Sequence, residues 1–267
     1  MYKVSHKRIF EVPKLMVGLD TETTGLGERA QPITYGLIVY RNGSPVDKID
    51  YDVDQDRTNS FIKSLTGGVP VWQSNKTNDS FVVYPSERYK GSDGRPFVEP
   101  DASRINGWTD DMLRSSRDGK PILHMPGDSF RYPPAVPAGT GLSRMLTQLA
   151  HLQKQGATFV GANTGYDYRL MTDLYAGLHN GLPIAHSGFD PLSANNIDVI
   201  AHDLTMRGDP TRMSSSGKLV PDRRSQEKLA IAYGVPYGAH KAYGDASTSV
   251  EIAKRQIAVN RGELELP

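Results

Sequence analysis

The sequence predicts a mixed α/β fold, a central sheet covered by helices on both faces. Three observations predict it. Two apolar runs, Lys14 to Glu22 and Ile33 to Tyr40, are strand-like and lead into a hairpin signal, Arg41-Asn42-Gly43-Ser44. Leu142, Met145, Leu146, Leu149 and Leu152 then recur at helical spacing. Beyond them, short apolar runs alternate with further helical stretches.

In chain order, Asn42-Gly43 supplies the positive φ that a tight hairpin needs, so Val46 to Val53 is expected as a third, antiparallel strand. From about 54 to 100 the pattern weakens into polar sequence, read as an inserted excursion holding a short strand at Phe81 to Tyr84. The loop from Pro121 to Pro137 carries five prolines and cannot be helical. Ala157 to Gly161 reads as a strand, Asp167 to Leu178 as a helix, and Asn196 to Ala201 as another strand. Met206 to Val220 is loop-like, and two helices follow, Arg223 to Tyr233 and Asp245 to Ala258. The expectation is one domain over residues 1–267, interrupted by the excursion and the proline-rich loop.

At 267 residues the chain can bury a sizeable core. Its formal net charge of +1 gives no strong overall field toward nucleic acid or membrane. With no cysteine, disulfides, thiol nucleophiles and cysteine-ligated zinc are excluded. Met1 to Val12 has basic residues but no signal-peptide core, and no window approaches a membrane span. A cytoplasmic protein without a membrane partner is expected.

The chemistry begins at the end of the first strand, Val17-Gly18-Leu19-Asp20-Thr21-Glu22-Thr23-Thr24-Gly25. Residues i and i+2 of a strand share a face, which sets Asp20 and Glu22 side by side, about 7 Å apart along the strand. Two like charges so placed repel. They are either solvated edge charges or the carboxylates of a divalent-cation site.

Two further segments bear on that choice. Phe159-Val160-Gly161-Ala162-Asn163-Thr164-Gly165-Tyr166-Asp167 ends a strand, turns, and places Asp167 near a helix start. By itself Asp167 reads as an ordinary N-cap or first-turn acid. His240-Lys241-Ala242-Tyr243-Gly244-Asp245 precedes an alanine-rich helix, and Asp245 has the same bland reading.

Taken together, Asp-x-Glu-Thr-x-Gly, Asn-x-x-x-Asp and His-x-x-x-x-Asp resemble the DEDD exonuclease superfamily in its histidine-containing branch (DEDDh). That branch includes the proofreading epsilon subunit of bacterial replicative polymerase, RNase T and oligoribonuclease. The resemblance runs from about Lys14 to Ile257. It implies a ribonuclease H-like mixed five-stranded sheet with helices on both faces. Asp20, Glu22, Asp167 and Asp245 match the four metal-binding carboxylates, and His240 matches the general base. Thr23, Thr24, Gly25 and Leu26 match the turn that holds the terminal nucleotide, and Ile105 a residue that packs on the terminal base. Asn163 falls in the second motif and is assigned to substrate binding. The competing tyrosine branch would need tyrosine at position 241, which is Lys241.

There are departures. Asn106 stands where the loop usually has histidine, Ala162 where the second motif often has histidine, and Tyr166 where phenylalanine is common. The resemblance implies two Mg²⁺ (or Mn²⁺) ions and release of nucleoside 5′-monophosphates from single-stranded DNA 3′ ends, in proofreading or DNA processing. An exoribonuclease, a non-catalytic nucleic-acid-binding subunit and a subunit docked on a DNA polymerase are the alternatives. Lys218, Arg223, Arg224 and Lys228 either meet the nucleic-acid backbone or form a solvated face with Asp222 and Glu227.

Overall fold

The computed structural model describes residues 11–27, 30–46, 79–84, 98–118, 122–123, 131–132, 136–237 and 241–267. The strands are β1 (Leu15–Thr23), β2 (Pro32–Arg41), β3 (Ser44–Pro45), β4 (Asp79–Tyr84), β5 (Ile122–Leu123), β6 (Arg131–Tyr132), β7 (Val136–Pro137), β8 (Thr158–Gly161), β9 (Asn195–Asp198), β10 (Thr211–Met213) and β11 (Leu219–Pro221). The α-helices are α1 (Pro100–Asn106), α2 (Asp110–Arg117), α3 (Ala138–Lys154), α4 (Thr164–Leu178), α5 (Val199–Met206), α6 (Gln226–Tyr233) and α7 (Ala242–Asn260).

The central sheet runs β7-β4-β2-β1-β8-β9, with β3 also on β2. Its main path, β4-β2-β1-β8-β9, is the expected mixed five-stranded sheet. β1 and β2 are antiparallel and joined early in the chain, whereas β1-β8 and β8-β9 are parallel. Parallel neighbours need a crossover, which α4 supplies between β8 and β9.

The edge beside β2 departs from expectation. Asn42 and Gly43 take positive φ as the hairpin signal requires, but β3 is only Ser44–Pro45. The rest of the strand expected to Val53 lies outside the described residues, apart from Val46, whose amide bonds to Val39. Further along the same edge, β4 pairs antiparallel with β2, from Asp79 opposite Leu37 to Val82 opposite Thr34. β3 and β4 are thus two pieces of one interrupted edge strand, with residues 47–78 between them. The strand expected at Phe81 to Tyr84 is therefore part of the sheet, within the excursion expected over 54–100.

Alternation along β1 and β2 divides the core. Val17, Leu19, Tyr35, Leu37 and Val39 face α3 and α4, packing with Leu142, Met145, Leu149 and Met171. Met16, Ile38 and Tyr40 face α6 and α7, packing with Leu229, Ala230, Val250 and Ala253. Asp20 and Glu22 share the parity of Met16 and Gly18, so they lie on the α7 face.

Two expectations downstream are corrected. The strand expected over Asn196 to Ala201 ends at Asp198, because the Asp198 carboxylate accepts from the amides of Ile200 (3.0 Å) and Ala201 (3.1 Å) and starts α5 there. The loop expected over Met206 to Val220 contains a hairpin, β10 paired antiparallel with β11. Among the described residues, no helix is long and apolar enough to cross a membrane.

Candidate active site

Close approach of backbone to backbone builds the site. A Cβ on Gly36 would lie 2.2 Å from the Ala242 carbonyl carbon and the Tyr243 nitrogen. One on Gly18 would lie 2.4 Å from the Ala246 carbonyl oxygen. Only glycine at both positions lets the first turns of α7 rest on the sheet. Gly36 is the register partner of Asp20, so this contact delivers Asp245 beside the strand acids. Gln226 fixes it there, donating from Nε2 to the Asp245 carbonyl at 2.7 Å and to Ser249 Oγ at 2.9 Å.

Oxygens of Asp20, Glu22 and Asp245 all lie within 4.8 Å of one another. Glu22 and Asp245 are buried and Asp20 is half-buried. Burial pushes the Asp20 carboxyl well above its usual range, and Asp167, Glu22 and Asp245 add to the effect in that order. Burial, then the charge of Asp245, pushes Glu22 up to about 8. Asp167 is also raised to about 8, chiefly by burial and against the pull of the neighbouring Thr21 hydroxyl. Asp167 is thus the strongest charged neighbour of Asp20, and the charge of Glu22 reaches it as well, although its oxygens lie outside the group of three. Crowded, desolvated carboxylates that only repel one another are a hard-oxygen donor set suited to Mg²⁺ or Mn²⁺.

Neither helix acid is a cap. Asn163 is the N-cap residue of α4 and takes a left-handed φ of 66°, which leaves Asp167 buried within the first turn. Lys241 is the N-cap residue of α7, and Asp245 again lies in the first turn. Asn163 itself is exposed at the turn. His240 lies outside the described residues.

The turn after β1 is held from several directions. Thr23 Oγ1 donates to the Gly25 carbonyl at 2.6 Å, and Thr24 exchanges bonds with Gln31 through its amide (2.9 Å) and its Oγ1 (3.0 Å). The Glu99 amide donates to the Thr24 carbonyl at 2.7 Å, and the Glu99 carboxylate sits where a Cβ on Gly25 would project. Two departures from the family pattern are at work here. Tyr166 donates its hydroxyl to the Gly25 carbonyl at 2.8 Å, a bond phenylalanine cannot make. Asn106 donates to the Thr23 carbonyl at 2.9 Å and accepts from the Trp108 amide at 3.0 Å, tying the α1–α2 corner to the turn. Leu26 and Ile105 stay 75% and 44% exposed, apolar side chains that the core does not use.

Sequence reasoning missed two neighbours. Asp198 holds the backbone amide of Asn163 as well as the start of α5, and its charge bears on Asp167. An aspartate closing a short strand ahead of a helix is an N-cap signal, overlooked because Val199 and Ile200 continue the apolar run. Burial, and then the charges of Asp245, Glu227, Glu22 and Asp20, push the Tyr237 hydroxyl pKa up. No spacing rule points to it.

The fold is ribonuclease H-like, and it carries a cluster of carboxylates at the end of β1. Among solved structures it is similar to E. coli exonuclease I in complex with a dT13 oligonucleotide, at 13% identity and a TM-score of 0.51, covering 94% of this chain and 42% of that one. It is also similar to a moderately thermophilic exonuclease I from Methylocaldum szegediense, at 15% identity and a TM-score of 0.52, covering 94% and 41%. The chain therefore spans about two fifths of the length of these structures, and at such identity the likeness is one of fold. No family model matches the chain, and no curated protein matches it.

Proposed function

We propose that this chain is a metal-dependent 3′→5′ exonuclease of the DEDDh type, acting on single-stranded DNA ends and releasing nucleoside 5′-monophosphates. The observation that carries the reading is the convergence of Asp20, Glu22 and Asp245 within 4.8 Å, with Asp167 beside Asp20. The oligonucleotides in the exonuclease I structures support the choice of substrate.

Asp20, Glu22, Asp167 and Asp245 would hold two Mg²⁺ (or Mn²⁺) ions. Bound there, such ions supply positive charge to the phosphodiester and acidify a water. His240 would serve as the base that takes a proton from the attacking water, a task suited to an imidazole at neutral pH. The Thr23–Leu26 turn receives the terminal nucleotide, Ile105 packs on its base, and Asn163 meets the strand from the start of α4. Apolar grip of this kind tolerates any base. Tyr166 and Asn106 act by holding the turn in place.

Digestion of 5′-labelled DNA and RNA single strands with Mg²⁺ tests the reading. The expected result is a ladder shortening from the 3′ end, faster on DNA, and abolished in Asp20→Ala and Asp245→Ala variants that melt normally. Faster RNA cleavage would make the enzyme an exoribonuclease. Full activity in either variant would end the proposal.

A further inference from the structure

The β10–β11 hairpin is a built arm with no role in the site described above. Its tip is closed on itself: the Ser214 amide bonds to the Lys218 carbonyl at 2.8 Å, and the Lys218 amide to Ser214 Oγ at 3.0 Å. Its root is clamped: the Asp222 amide bonds to the Pro210 carbonyl at 2.7 Å, and Arg207 donates to the Asp222 carbonyl at 2.6 Å. Arg207 is anchored in turn by Nε on the fully buried Asp203, at 2.8 Å.

The arm holds up an apolar pair. Met213 and Leu219 are direct register partners, so their side chains leave the same face. They are 60% and 72% exposed. The two strands form a sheet of their own. Such a ribbon is marginal in water, so the bonds at both ends hold a shape that core packing does not.

The charge around the pair says what would cover it. Residues 211–228 carry Arg212, Lys218, Arg223, Arg224 and Lys228 against Asp222 and Glu227, in a chain whose net charge is +1, with Arg224 committed to the buried Asp203 at 3.6 Å. Arg212 and Lys218 are exposed and adjoin the apolar pair in sequence; Arg212 leaves the strand on the face opposite Met213 and lies 3.6 Å from Asp222. The end of the segment, past the hairpin, borders the acid cluster. Arg223 exerts its charge on Asp198, itself a charged neighbour of Asp167, and Gln226 bonds to the Asp245 backbone. A basic segment that carries an exposed apolar pair and ends beside an anionic centre fits a polymer with charged phosphates and exposed base faces.

We infer that the β10–β11 arm binds single-stranded DNA upstream of the 3′ end, with bases against Met213 and Leu219 and phosphates on Arg212 and Lys218. The inference rests on the exonuclease reading and extends it, because the arm gives the enzyme a second, distant grip. Affinity then depends on strand length, while the chemical step does not depend on the arm.

The full chain is tested as Met213→Ser/Leu219→Ser and Arg212→Gln/Lys218→Gln double variants, on 5′-labelled oligo-dT of about 4 and about 20 nucleotides, lengths bracketing a single-strand binding site. On the long strand KM is expected to rise about tenfold in each variant, with kcat and the short-strand KM unchanged. The charge variant should also flatten the salt dependence of long-strand affinity, by about 0.7 in log–log slope per lost phosphate contact. An unchanged long-strand KM in both variants overturns the inference, as would an arm that docks a protein instead. Equal losses on both lengths overturn it too. If the wild-type chain cleaves no strand, the exonuclease reading has failed. The arm is then judged by anisotropy with the long strand in EDTA, where a weakened Kd in both variants upholds it and an unchanged Kd overturns it.

Discussion

Asp167 and Asp245 each lie in the first turn of a helix, yet α4 and α7 bring them to the site by different means. α4 follows directly from β8, through a left-handed Asn163 whose amide Asp198 holds. Its position is set by local turn chemistry. Among the described residues, no sheet strand leads into α7. It is seated by bare backbone contact with Gly18 and Gly36 and by the Gln226 side chain. An acid delivered locally should tolerate change in its surroundings, whereas one delivered by tertiary contact should be lost when the contact is disturbed.

Gly36→Ala is the harshest way to break the comparison. The new methyl would fall 2.2 Å from the backbone of α7, so the helix must lift. Turnover in the proposed exonuclease reaction should fall at least 100-fold and stability by about 1–3 kcal/mol or more, read by labelled-strand digestion and thermal melting. A variant with normal turnover would mean that α7 is not seated this way.

The pH dependence of stability comes next. Glu22 and Asp167 are raised to about 8 from ordinary carboxylate values, so between those limits the folded chain holds more protons than the unfolded one. Stability without metal is therefore full below about pH 4, the ordinary carboxylate range, and declines as pH rises toward 8. The melting temperature in EDTA should fall steadily from pH 5 to 8, and Mg²⁺ should raise it far more at pH 8 than at pH 5. A flat profile in EDTA would contradict the crowding of these acids.

Gln226→Ala removes two bonds, to the Asp245 carbonyl and to Ser249. It should cost about 1–2 kcal/mol and lower turnover by roughly tenfold, with a larger share in kcat than in KM. The mildest change is at the other helix. Asn163→Gly keeps the left-handed turn and should melt like the wild type, while Asn163→Ala should lose about 1 kcal/mol. If both variants lose turnover equally, the Asn163 side chain meets substrate. If only alanine does, the residue serves the turn.

What was legible in the sequence follows the same division. The acid pair of β1 and the turn after it are written in consecutive residues, and alternation alone put Asp20 and Glu22 on one face. The Asn42-Gly43 turn was equally plain. The end of β9 was misplaced because Asp198 could be read as one polar residue in an apolar run, until its carboxylate was seen to cap α5. The seating of α7 was invisible, since nothing near Gly36 in sequence mentions Ala242. Asn106 looked like a loss against the family pattern, but its amide group makes two bonds that tie the α1–α2 corner to the turn.

The interrupted edge strand has a practical consequence. On either side of residues 47–78, Val46 is bonded to Val39 on the edge of β2, and Asp79 stands opposite Leu37. Those two anchor points are two residues apart, about 7 Å along β2. A foreign peptide or a short bridging linker whose ends meet that spacing could be grafted in place of 47–78, making this edge a ready port for cargo.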